Sequence, residues 1–147
     1  MRTIAIVSIA LACAMFTASI TAKGKTVKLV VSGGGLTSPV EISGEDVAFA
    51  NPWSDAFVSS WSAVSEPALN ARHFEVSFYE QMATADVRVK YLVDYVPGAP
   101  GRGVIHLPGR GDPRYRANVS TIVRDGQDGK WFPASSEWER VVGSRLR

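Results

Sequence analysis

The sequence holds two histidines, His73 and His106, and imidazole is the side chain best suited to ligate a transition metal or move a proton near neutral pH. Both belong to segments whose hydrophobicity alternates with period two. Phe74, Val76 and Phe78 alternate with Glu75, Ser77 and Tyr79, while Val87, Val89, Tyr91, Val93 and Tyr95 alternate with Arg88, Lys90, Leu92, Asp94 and Val96. This is the pattern of two half-buried strands, and Met82-Ala83-Thr84-Ala85 between them makes an antiparallel hairpin. A four-residue loop sets Phe78 opposite Val89, Val76 opposite Tyr91 and Phe74 opposite Val93. The other face then pairs Tyr79 with Arg88, Ser77 with Lys90, and His73 with Asp94. A tighter Thr84-Ala85 turn would put Glu75 opposite Asp94, like charges directly across a ladder, and Thr-Ala suits the positive dihedrals of a two-residue turn poorly. The four-residue loop is therefore expected.

Val104 to Leu107 reads as the next strand. Pairing Tyr95 with Ile105 and Val93 with Leu107 keeps its apolar face apolar, which sets His106 opposite Asp94 on the side away from His73. His73, Asp94 and His106 then form a row across three strands, with neighbours about 5 Å apart. Two imidazoles and a carboxylate in that arrangement suit a transition metal with open positions, or a histidine held as a general base. The competing reading is a solvated sheet face on which Asp94 simply pairs with a histidine. A one-residue slip would turn His106 inward. No cofactor is predicted.

Other motifs carry less. Gly33-Gly34-Gly35 follows a strand but lacks the Lys-Ser/Thr of a phosphate loop, and Gly24-Lys25-Thr26 has Ser19 where a P-loop has its first glycine. Arg110-Gly111-Asp112 spells an adhesion tripeptide inside a Pro/Gly turn, where those residue types are common anyway. Asn118-Val119-Ser120 is a glycosylation sequon within an expected strand. Trp53, Trp61, Trp131 and Trp138 are expected in the core, since large aromatics are mostly buried. Tyr79, Arg110 and Tyr115 are the exposed candidates for binding a ligand. No Gly-x-Ser-x-Gly marks a serine nucleophile.

These residues need a scaffold, and the N-terminus is not part of it. Met1-Arg2, an apolar run from Ile4 to Phe16 and small residues up to Ala22 have the order of a signal peptide over residues 1–22. The alternative is an N-terminal membrane anchor, because Thr3 to Ala22 is just long enough to span a bilayer. Cleavage leaves residues 23–147 as a single secreted or periplasmic domain, with no membrane contact after the signal is removed. Cys13, the only cysteine, lies in the leader, so the mature domain has no disulfide, thiol nucleophile or cysteine-based zinc site. Without Arg2 the mature part carries 15 basic and 14 acidic residues. A balance so even lacks the clustered positive footprint of nucleic-acid binding, which is excluded.

Thr26 to Ser32 and Pro39 to Ser43 read as strands. Ser43 with Asp46 starts a helical or irregular region lasting to about Leu69, with Trp53, Phe57 and Trp61 on one face. Tyr115 to Val123 alternates as a strand, and Ser136 followed by Glu139 caps a final helix bearing Trp138, Val141 and Val142. The fold class is α+β weighted to β: six or seven mostly antiparallel strands, a meander at 73–107, and two or three short helices.

The segments SGGGLTSPVEIS (32–43), EVSFY (75–79), VRVKYLVDYVPG (87–98), HLPGRGDPRYRANVSTIVRDGQDGKW (106–131) and ASSEWE (134–139) resemble a family of small exported bacterial proteins with no assigned activity. The resemblance implies a shared fold and an extracytoplasmic setting, and brings no catalytic or ligand residues. The leading expectation is a non-enzymatic binding or interaction module of the bacterial envelope or exterior, its partner an envelope protein or polymer. The alternatives are an enzyme, metal-dependent or general-base, built on His73, Asp94 and His106, and a structural subunit of a surface assembly that uses a sheet edge or the Trp53 region.

Overall fold

A computed structural model describes residues 25–50, 56–99, 101–118 and 126–147. Residues 1–22, expected to be a signal peptide and including Cys13, and also Trp53 and Val119 to Val123, lie outside the described residues. Six strands form one open antiparallel sheet: β1 (Lys25–Gly33), β2 (Val40–Ser43), β3 (Phe74–Gln81), β4 (Val87–Val96), β5 (Val104–His106) and β6 (Trp131–Pro133). Their order is β2-β1-β3-β4-β5-β6. Two short helices, α1 (Tyr115–Asn118) and α2 (Ser136–Val141), complete an α+β fold dominated by strands, as the alternation requires. No helix among the described residues is long and apolar enough to cross a membrane.

The inner face of the sheet carries Leu29, Val31, Phe74, Val76, Phe78, Tyr91, Val93, Tyr95, Ile105 and Phe132, all buried. Trp138 of α2 is fully buried over the centre, stacked 5.8 Å from Phe78 and edge-on to Tyr95. The cap of α2 is Ser135, one residue before the expected serine, and its hydroxyl accepts from Trp138 N–H. The acid three residues after Ser136 does something else. Glu139 is buried and accepts from Tyr95 Oη–H at 2.7 Å and Gly103 N–H at 3.0 Å, so α2 is fastened to the β4–β5 turn. Two glycines make room for this carboxylate. A Cβ on Gly103 would fall 2.1 Å from Glu139 Oε1, and one on Gly143 2.8 Å from Oε2. Burial beside Glu139 pushes the Tyr95 phenol well above its usual range.

Among the described residues, the region between β2 and β3 is irregular apart from a 3-10 turn at Gly44–Val47 and isolated bridges at Val58 and Val64, and Ser43 makes no side-chain cap. Phe57 is fully buried and edge-on to Trp61 at 6.0 Å, so the two are neighbours without a helix between them.

The β3–β4 register corrects the expected one. Phe74 faces Tyr95, Val76 faces Val93, Phe78 faces Tyr91, and Glu75 faces Asp94. This is the pairing that like-charge repulsion argued against. Beyond Phe78 the ladder shifts by one, because Lys90 is an extra residue on β4, and Tyr79 then faces Val89. The bulge turns the rest of β4 over, since side chains alternate strictly along a strand. Phe78 is buried while Val87 and Val89 are exposed, so Phe78 and Val89 lie on opposite surfaces, contrary to expectation. The connection closes as a three-residue loop, with Met82 N–H donating to Asp86 O and Ala85 N–H to Met82 O. Ala85 takes φ +64°, the left-handed position that such a loop reserves for glycine.

Two stability predictions follow from this geometry. Replacing Ala85 by glycine should raise unfolding stability by about 0.5–1 kcal/mol, since a left-handed residue with a Cβ is strained; urea titration with an unchanged or lower midpoint would contradict it. Glu80 is buried with Oε1 lacking any hydrogen-bond partner, and burial raises its carboxyl above the ordinary value. Its proton is held more tightly in the folded chain, so the stability it contributes is present below the unfolded value and is lost as pH rises through the folded one. Glu80→Gln should therefore flatten the decline in stability as pH rises above the ordinary glutamate value of about 4, and a pH series of melting temperatures parallel to that of the unsubstituted protein would refute this.

Candidate functional site

The side of the sheet away from the core carries a polar row. Ser32 pairs with Glu75, Glu75 with Asp94, Asp94 with His106, and His106 with Trp131, so five adjacent strands contribute one residue each. The β4–β5 pairing is the expected one: Tyr95 faces Ile105 and Asp94 faces His106. His106 Nδ1 lies 2.9 Å from Asp94 Oδ2. A carboxylate oxygen can only accept, so Nδ1 carries the proton and Nε2 is left as the second, differently placed nitrogen. The imidazole is also stacked on Trp131, ring centroids 4.9 Å apart.

Position 73 is not in the row. The register that sets Glu75 opposite Asp94 moves His73 past the start of β3, where its exposed ring meets Trp131 edge-on at 5.9 Å. The two histidines thus share contact with one indole rather than with one carboxylate.

The segment after β5 supplies the charge that the row needs. Arg114 reaches over the strands, and its Nη1 donates to Asp94 Oδ1 at 2.5 Å while Nη2 donates to Asp94 Oδ2 at 2.9 Å. Nη1 also donates to Glu75 Oε2 at 3.2 Å. Nε and Nη2 hold both oxygens of Asp112, whose Oδ1 accepts from Arg114 N–H as well. A planar guanidinium has five donors in a fixed fork, and this one is shared among three carboxylates. Burial pushes the Asp94 carboxyl up, but His106 and Arg114 together bring it below its usual value. The Arg114 hydrogen bonds hold Asp112 down to about 2, and the same carboxylates raise the guanidinium further above its already high value. Side-chain exposure is 18% for Asp94 and 29% for Arg114, so these charges are screened less than surface pairs.

The expected strand from Tyr115 begins instead as α1. Asp112 organises its start, since its side chain accepts from the backbone two residues on, a local bond that competes with an extended ladder. Asn118 ends α1 buried against β4, accepting from Leu92 N–H and donating to Leu92 O, both at 2.7 Å. β5 is too short to pair with Leu92, so the Asn118 amide takes the place of a neighbouring strand. The sequon asparagine is accordingly engaged inside the fold. Asp112 of the adhesion tripeptide has both oxygens held by Arg114, leaving no open carboxylate there.

The other sequence candidates are scattered. Tyr79 is half-buried on β3 under the Lys28 ammonium, 4.9 Å from the ring centre. Arg110 is exposed in the loop before Asp112, and Tyr115 is half-buried at the start of α1. Trp138 and Trp131 are buried, Trp61 half-buried. Among the described residues, no three His, Cys, Asp or Glu side chains gather in a way that could hold a metal ion. The centre of the row is filled by the Arg114 guanidinium. Sequence reasoning placed Asp94 and His106 together and missed Glu75, Arg114 and Asp112. The unfavourable Glu75–Asp94 pairing was itself the available signal, because it called for a cation.

No family model, no curated protein and no solved structure matches this chain.

Removing the shared cation leaves two carboxylates facing each other across a ladder. Arg114→Met should cost about 1–3 kcal/mol, below the 3–5 typical of a fully buried pair because the site is partly hydrated. Adding Glu75→Gln to that variant should recover part of the loss. Asp94 and Asp112 have lowered folded values, so their stabilisation is present above the unfolded value of about 4 and is lost as pH falls toward about 2. The acid limb of the stability profile should therefore be shallower in Arg114→Met. Denaturant titrations of the two variants at several pH values check all three statements, and a double variant no more stable than Arg114→Met would remove the repulsion argument.

Proposed function

We propose that this chain is an exported, non-enzymatic binding or interaction module of the bacterial envelope or exterior, with an envelope protein or polymer as its partner. The observation that carries this reading is how the most reactive-looking polar groups are employed. Asp94 and Asp112 each spend both oxygens on Arg114, and the His106 ring is fixed between Asp94 and Trp131. These groups clamp the 108–118 segment onto the sheet, a structural use that leaves exposed residues such as Arg110 for contact with a partner. The apolar leader over residues 1–22 supports export, and the even charge supports a partner other than nucleic acid.

A second reading has one specific observation in its favour. The Asp94–His106 hydrogen bond at 2.9 Å orients an imidazole as a general base is oriented in hydrolytic sites. On that reading His106 Nε2 would take a proton from water or substrate, with Asp94 fixing the tautomer.

One experiment separates the two. The protein and its His106→Gln and His73→Gln variants are incubated with purified cell-wall polymer and with a peptide library, and both retention and product formation are measured. Retention that survives both substitutions, with no product released, is the expected result. Product formation by the unsubstituted protein that His106→Gln abolishes and His73→Gln spares would replace the binding reading with the hydrolytic one.

A further inference from the structure

We draw no further inference here: the strongest candidate, the Glu75, Asp94 and Asp112 carboxylate cluster around Arg114 on the outer sheet face, belongs to the site already described, and nothing beside it points to another ligand.

Discussion

Two carboxylates set directly across a β-ladder repel each other, yet Glu75 and Asp94 occupy that relation in the middle of this sheet. The arrangement holds because Arg114 arrives from a segment 20 residues further along the chain than Asp94 and donates to both. The strand register and the course of the 108–118 segment are therefore one problem with one solution. The inner face favours this register through the Phe78–Tyr91 stack at 3.8 Å and the Val76–Val93 pair. The outer face would resist it without the guanidinium. Asp112 pre-orients that guanidinium from its own loop, and His106 accommodates the remaining demand on Asp94 Oδ2.

The bulge at Lys90 is the second constraint, and it divides β4 into two functional lengths. From Tyr91 to Val96 the strand feeds the core with every second side chain. Before the bulge the alternation is inverted, so Val87 and Val89 reach solvent and the inward position opposite Arg88 falls to Glu80. The two exposed valines are the product of that single inserted residue, whereas the buried Glu80 follows the unbroken alternation of β3. The left-handed Ala85 belongs to the same adjustment, since a three-residue loop in place of a four-residue one changes the strand pairing by one.

Much of the architecture was legible because period-two hydrophobicity is a strong local signal. β1, β2, β3, β4 and β5 fall where alternation and Gly/Pro punctuation put them, and the β4–β5 register follows from matching Tyr95 to Ile105. The hairpin register was not legible from the same reasoning. Pairwise charge rules weigh only the two residues opposite each other, and here a third residue distant in sequence reversed their sign. Tyr115 to Asn118 misled for a related reason: its alternation imitates a strand, while the Asp112 side chain and the Asn118 amide make local and long-range bonds that a periodicity count does not register. Of the proposed row, Asp94 and His106 stand together as expected. His73 drifted away because its place depended on the hairpin rather than on the better determined β4–β5 pair.

The margins of the sheet decide how far it can be extended. At one side β6 is already occupied, since Val64 N–H donates to Trp131 O and Ser59 N–H to Pro133 O, each at 2.9 Å. At the other side β2 offers four residues between Pro39 and Gly44, and the stretch of β1 beyond it lies beside the Gly44–Val47 turn. A strand donated by another polypeptide would find one lane taken and the other too short for more than a few backbone bonds, which is how natural sheets avoid uncontrolled stacking. Crowding many copies together would then join few backbone groups of the described sheet, and association through it would have to be written mostly in side chains.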